Sequence, residues 1–464
     1  MMQRIHLATL ATLIGTAFMA LITPLILLPG IGVAAPSGEK LSQLGKDLTP
    51  LGAIRAGSTD GTIPEWTGGI TAPPAGYRPG MHHLDPFAAD KPRVRVTAKN
   101  LSSYESLLSP GQVALLRRYP ETWYLEVYPT RRSASYPQRI YDAAIQNAKS
   151  ARLTEDGNGV LGASISIPFP VPENGLQAIW NHLLRYRGDT TQRDVGQVSP
   201  TADGSYTMVR ITDETYWAYM QPGATVDSIN NRLAYFLQTV TAPPRLAGTI
   251  LLVHETLNQR VEPRNAWTYN PGQRRVRRAP NVAYDNPGTA SDSQRTSDQL
   301  DMFNGAPDRY DWKLVGRKEM LVPYNSYKVH SEKVAVDDLV KAGHLNPELL
   351  RYEVHRVWHV EATLKPGTSH IYKRRSFFFD EDSWQALVVD QYDTRDQVWR
   401  VSEAHPINYY DVPLLWDTLQ VHHDLQNGRY LAFGINNQFP IEKFNAPMDL
   451  ASFSPDALRR EGRR

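Results

Sequence analysis

The chain contains no cysteine, which excludes disulfides, thiolate metal sites, a cysteine nucleophile and lipid attachment at a cysteine. It also lacks an excess of either charge: 50 Lys and Arg stand against 48 Asp and Glu, for a formal net charge of +2. Without a basic field a polyanion is not attracted, so nucleic acid is not an expected partner. No Gly-x-Ser-x-Gly elbow and no phosphate-binding loop occurs. Beyond residue 33 no apolar run approaches the ~20 residues of a membrane span. What is present is an ordinary folding composition: 464 residues, 41% hydrophobic and 21% charged, long enough for two or three domains at ~150 residues each. With 23 Tyr, 10 Trp and 34 Pro, the chain favours strands joined by tight turns.

The N-terminus carries an export pattern. Arg4 and His6 precede an uncharged run from Leu7 to Val33, followed by Ala34, Ala35 and Pro36. A basic start, an apolar stretch and small residues predict a signal peptide over 1–34, cut after Ala34. An uncleaved anchor is the competing reading, because the run is long for a signal. Pro24, Pro29, Gly30 and Gly32 break it, which favours cleavage over a straight span.

Residues 35–100 read as an irregular N-terminal segment wrapped over the rest, with Leu51, Ile54, Ile63 and Trp66 as anchors. Residues 101–200 are predicted to be helix-rich. Ser109 and Pro110 start one helix, Pro137 a second, and Asn174 caps a third that closes at Gly188. In the third, Leu176, Ile179, Trp180, Leu183 and Leu184 form one stripe. It fits a helix docked on a sheet, or a lid over a cavity. Residues 201–425 are assigned to an antiparallel half-barrel and 426–464 to a C-terminal tail. Within the former, RNAWTY, NPGQ and RRVRRA form a hairpin, Asp292 to Asp301 an exposed loop, and Val336 to Ala342 a short helix.

Residues 352–403 give the sharpest pattern, a four-stranded meander closed by the loops KPGT, DEDS and TRDQ. Direct hairpins pair Leu364 with Ser369, Phe379 with Trp384, and Asp393 with Val398. Alternation then collects Arg356, Trp358, Lys373, Arg375, Phe377, Phe379, Trp384, Ala386, Asp390, Trp399 and Val401 on one face. Trp358 lies opposite Arg375, Arg356 opposite Phe377 and Lys373 opposite Asp390. Glu353, His355, His359, Glu361, Tyr372 and Arg374 fall on the other face, which is expected to meet water.

Four stretches together resemble one family: GKDLTPLGAIRAGSTDGTIPEWTGG, DPFAADKP, NGLQAIWNHLLRYRG and RYEVHRVWHVEATLKPGTSHIYKRRSFFFDEDSWQALVVDQYD. It is the Gram-negative family designated domain of unknown function 1329, often labelled outer-membrane lipoprotein-sorting protein. The resemblance spans about residues 39–430. It implies a mainly β (α+β) fold like the periplasmic lipoprotein carriers, a curved antiparallel half-barrel with packed helices and an N-terminal wrapping segment. It also implies association with a resistance-nodulation-division-type transporter and an outer-membrane protein. The family offers no catalytic residue to carry over.

On this reading the aromatic face lines a cavity for a lipid-like molecule. The expected ligand-binding residues are Arg356, Trp358, Lys373, Arg375, Phe377, Phe379, Trp384, Asp390 and Trp399. The cations meet a ligand anion, or they pair with Asp390 and Glu403. His355 and His359 stand four apart on a strand, ~13 Å from end to end, too far to share a metal. His422, His423 and Asp424 are placed in a loop, Asp380 to Asp382 in a solvated hairpin loop. Arg274, Arg275, Arg277 and Arg278 form a solvated sheet edge. The expected protein is periplasmic, associated with the outer membrane, non-catalytic, and without metal or cofactor. The alternatives are a structural or docking subunit with a filled half-barrel, and an envelope-polymer hydrolase acting through the acidic loop.

Overall fold

The computed structural model describes residues 38–279, 282 and 284–461; the predicted signal peptide lies outside them. Strands β1 (Val94–Val96) and β2 (Leu125–Val127) come first, then a small separate hairpin of β3 (Arg152–Leu153) and β4 (Val160–Leu161). A first meander comprises β5 (Thr190–Val198), β6 (Val209–Tyr216), β7 (Arg232–Ala242), β8 (Ile250–Thr256), β9 (Asn265–Asn270) and β10 (Arg275–Arg278). After β11 (Tyr310–Pro323), the second meander comprises β12 (Tyr352–Leu364), β13 (Arg374–Asp380), β14 (Ala386–Tyr392) and β15 (Val398–Asn408). It continues through β16 (Leu415–Asp424) and β17 (Tyr430–Ile435), and β18 (Lys443–Phe444) ends the series.

All but β3 and β4 belong to one 16-stranded sheet. It is open rather than closed into a barrel, and mixed, because β2 runs parallel to β12 while the other pairs are antiparallel. The two meanders join where β17 pairs with β5, Ala432 opposite Val198. The residues expected to be a C-terminal tail are therefore part of the sheet, and the Pro455–Glu461 helix packs against β8, β9 and β10. Strand β5 falls in the region expected to be helical; its TTQRDVGQV sequence is too polar to show apolar alternation.

The helix starts follow the capping chemistry. The Ser109 side chain accepts from Gln112 N–H, with Pro110 as the first residue of the Pro110–Arg118 helix. Asn174 likewise caps Gly175–Leu184 by accepting from Gln177 N–H at 2.9 Å. This helix stops at Leu184 rather than Gly188, and Arg185 turns to extended backbone.

The register of the second meander differs from the expected one in an informative way. The first connection is longer than KPGT, so Trp358 faces Phe379 and Ala362 faces Arg375. That shift is four residues, an even number, and leaves the side chains on the expected face. At the second hairpin Trp384 adopts φ 63°, and a bulge follows between Ala386 and Val388. One inserted residue reverses the facing of everything after it. Asp390 therefore lies opposite Ser376 and on the far face, not opposite Lys373. Lys373 itself is exposed.

The far face is largely covered instead of solvated. Glu353, His355 and Tyr372 are buried, while His359, Glu361 and Arg374 are half-buried. The Pro110–Arg118 helix covers β14 and β15 there, and Leu115 and Leu116 share a core with Val388 and Val401. Three other expectations of solvent exposure also fail for want of nonlocal information. His422, His423 and Asp424 are on β16 and buried. The Asp292 to Asp301 loop turns inward, with Arg295, Asp298 and Asp301 buried. Asp380, Glu381 and Asp382 are buried too.

Candidate functional site

The aromatic face of β12–β14 is a filled core rather than a cavity wall. Phe377, Phe379, Trp384 and Ala386 have no exposed surface and pack in one cluster with Ile179, Trp180 and Leu183 of the capped helix. Trp358 stacks on Trp384 at 5.9 Å, Phe377 on Phe379 at 5.7 Å, and Trp384 Nε1 donates to the Leu51 carbonyl at 2.9 Å. The apolar stripe of that helix occupies the space in which an acyl chain was expected.

Apart from the exposed Lys373, the predicted charged residues are committed to the protein. Arg375 donates to Asp298 at 2.6 Å and to the Tyr310 hydroxyl at 3.2 Å. Arg356 lies 3.4 Å from Glu381. Asp390 accepts from Ser109 Oγ at 2.9 Å and Gly111 N–H at 2.8 Å, and burial raises its carboxyl to about 7. Trp399 is half-buried and donates to Asp424 at 3.0 Å.

The acidic loop is held by arginines remote in sequence. Arg132 grips Asp382 with two hydrogen bonds of 2.9 and 2.7 Å, and Arg317 lies 3.5 Å from Glu381. Burial and the neighbouring Asp382 raise Glu381 to about 7 and Asp380 to about 6. His355, Asp380 and Asp382 bring one donor atom each within 4.8 Å of one another. Both Asp382 oxygens, however, already accept from Arg132, and His355 Nε2 is 3.0 Å from Glu353. Buried and neutralised in this way, the loop does not present an acid–base pair to a polymer.

Open space lies instead against the first meander. A cavity of about 280 Å³ sits between one face of β5–β9 and the 286–304 loop. Alternation puts Thr191 and Arg193 of β5, Asp213 and Thr215 of β6, and Phe236 and Gln238 of β7 on that wall. Leu251 and Val253 of β8 extend it, and Trp217, Leu300 and Trp416 close it. None of the nine expected ligand residues lines it. The volume exceeds the roughly 150 Å³ of an apolar cavity that takes benzene and approaches the roughly 300–1,000 Å³ of small-molecule sites.

Four arginines border the cavity. Arg187 pairs with Asp301, Arg193 with Asp213 at 3.2 Å, and Arg264 with Glu255. The fourth, Arg295, comes from the inward-turning loop. Sequence reading missed this site because its polar residues alternate on strands with little apolar contrast. Its signal lies in the strand segments RLAYFLQTV and GTILLVHETL, whose alternate residues Phe236, Gln238, Leu251 and Val253 face the cavity. On their other face the same strands are sealed: Leu237, Ile250, Leu252 and Tyr269 pack with Phe453 and Leu458 of the C-terminal segment.

A family profile described as protein of unknown function (DUF1329) matches residues 95–459. The chain belongs to the DUF1329 family. This DUF1329 chain is 50% identical over 434 residues to uncharacterized protein PA3922 of Pseudomonas aeruginosa, covering 93% of this chain and 95% of that one. Among solved structures, a Vibrio parahaemolyticus domain named for outer membrane lipoprotein sorting aligns with a TM-score of 0.43 at 14% identity. That alignment covers 62% of this chain and 98% of the domain. A DUF1329 family protein from Desulfovibrio piger aligns with a TM-score of 0.40 at 16% identity, over 59% and 92% of the two chains.

Proposed function

We propose that this DUF1329 protein is an exported, periplasmic, non-catalytic binding protein that holds a hydrophobic, lipid-like molecule in the cavity against β5–β9. It serves as an accessory to an envelope transport system, with a resistance-nodulation-division-type transporter and an outer-membrane protein as its partners. The observation that carries this reading is the cavity itself, walled by Leu233, Phe236, Leu251, Val253 and Trp217. Each acyl methylene moved from water to such a wall gains ~0.8 kcal/mol, so noncovalent capture is sufficient. The basic and apolar pattern of residues 1–33 supports export. Among the described residues no helix is long and apolar enough to cross a membrane.

The test is mass spectrometry of organic extracts from the purified protein, beside binding of a fluorescent fatty-acid probe. A co-purified lipid and a probe signal abolished by Leu251→Trp are expected, because Leu251 lies on the cavity wall. No extracted lipid and no probe binding would return the protein to a structural role in an envelope complex. The filled core of the second meander favours that role for its own half of the sheet.

A further inference from the structure

We propose that the cavity selects single-chain amphiphiles with an anionic head group, and that Arg295 is the residue that receives the anion. This rests on the binding function proposed above and names the class of ligand.

The charge pattern of the wall singles Arg295 out. Arg187, Arg193 and Arg264 each have a carboxylate partner in Asp301, Asp213 and Glu255. Arg295 has none among the described residues, although it is only 3% exposed and borders the cavity. The two nearest acids are already occupied. Asp213 accepts from Arg193 and Gln238, and Asp298 from Arg375 and His370. The guanidinium instead lies over the Phe433 ring at 5.2 Å, and its Nε has no hydrogen-bond partner.

An isolated buried cation is costly unless something pairs with it. Burial indeed pulls the Arg295 guanidinium down to about 10. Four arginines against three carboxylates leave the lining with one positive charge in excess. A planar fork with an unpartnered Nε suits a carboxylate or a phosphate, the two common heads of a single-chain amphiphile.

The loop is built to hold the group in place. Gly288 N–H donates to the Arg295 carbonyl at 2.9 Å, and Ser291 Oγ donates to the same oxygen at 3.2 Å. A Cβ at position 288 would lie 3.1 Å from Arg295 Nη2, so the guanidinium rests directly on glycine backbone. The apolar wall of β7 and β8 then receives the tail.

The experiment measures displacement of N-phenyl-1-naphthylamine, a neutral apolar fluorophore, from the full chain. The competitors are dodecanoate, dodecyl phosphate and dodecanol, each below its micelle concentration. An anion should bind at least about tenfold more tightly than the alcohol, and whether the carboxylate or the phosphate leads identifies the head group. Arg295→Met should remove that preference, bringing both anions and dodecanol to comparable affinities. Arg295→Lys, which keeps charge but loses the fork, should retain a reduced preference. Arg275→Ala, an exposed arginine on the β10 edge, should leave it intact.

Equal affinity of the parent for the alcohol and both anions overturns the role of Arg295, as does a preference that persists in a folded Arg295→Met protein. Both results leave hydrophobic binding standing. Failure of the fluorophore and every competitor to bind overturns the binding function itself. The parent measurement decides the preference even where a variant does not fold.

Discussion

The two meanders of the sheet share the same two-residue alternation but turn different faces inward, one aromatic and one mixing apolar side chains with charges, and they end up with opposite interiors. Against β12–β14 lies the Gly175–Leu184 helix, whose Ile179, Trp180 and Leu183 interlock with Trp358, Phe377 and Phe379. Against β5–β9 lies an irregular loop carrying Gly288, Thr289, Arg295 and Ser297, residues that are too small or too charged to fill the space between them. The difference teaches that a sheet face does not by itself make either a core or a cavity. What is laid over the face decides, and here a helix fills while a polar loop leaves room.

The comparison is broken most severely by removing a ring from each half. In the filled half, Phe377→Ala should cost about 3–5 kcal/mol, because the neighbours cannot collapse around the loss. Phe236→Ala on the cavity wall, where Phe236 is half-buried, should cost less than half as much. Urea unfolding of both variants measures the gap, and equal losses would mean that the two halves are packed alike.

Buried arginines offer a second contrast of similar size. Asp298→Ala strips the partner from Arg375, which is 1% exposed, and should destabilise by about 3–5 kcal/mol. Arg295 has no ion-pair partner to lose, so Arg295→Met should change stability by less than about 1 kcal/mol or raise it. Thermal unfolding distinguishes the two outcomes.

Acid should weaken the filled half through its buried histidines. Burial holds His182, His405 and His423 down to about 3, against 6.5 for a free histidine. Below pH 6.5 the unfolded chain therefore binds more protons than the folded one. Stability is fully present above that pH and falls as pH drops toward 3, by about 1.4 kcal/mol per unit for each group. His405, whose two ring nitrogens have no hydrogen-bond partner, is the cleanest probe: His405→Leu should flatten the fall in a pH series of chemical denaturation. Asp390 acts with the opposite sign. Its carboxyl is raised from 3.8 to about 7, so the folded state holds an extra proton across that window and stability declines as pH rises through it. Asp390→Asn should remove that decline.

The smallest effect belongs to the sheet edge. Arg275 and Arg277 of β10 are exposed, and replacing either with Ala should move the melting free energy by no more than about 0.5 kcal/mol.

Much of the second meander was legible because its loops are short and its apolar residues alternate. The third hairpin has the expected pairing, Asp390 opposite Val401. The first changed by four residues and kept its faces, since sidedness survives any even shift. The second was not legible. Trp384 stands at φ 63° just before the bulge after Ala386, and its indole donates to the Leu51 carbonyl, more than three hundred residues away in sequence. A single extra residue there sent Asp390 to the Ser109 helix cap.

The candidate site was hidden for a different reason. Strand β5 reads TTQRDVGQV, and the loop supplying Arg295 reads as solvated because Asp, Ser, Gln and Arg occur together in it. Local polarity predicts exposure only when no partner exists elsewhere. Here Asp298 finds Arg375, and Asp301 finds Arg185 and Arg187. The acidic loop at 380–382 misled in the same way, since Arg132 lies 250 residues from Asp382.

By itself the sequence determined the class of fold, the helix caps, most strand positions and the sidedness of the aromatic residues. These follow from backbone sterics, side-chain periodicity and capping hydrogen bonds, all of which act over a few residues. Only the tertiary structure decided which polar groups are buried, which face is filled and where space remains. Those outcomes depend on which distant segment covers each face and which distant charge neutralises each acid, and neither is encoded in any local window of the chain.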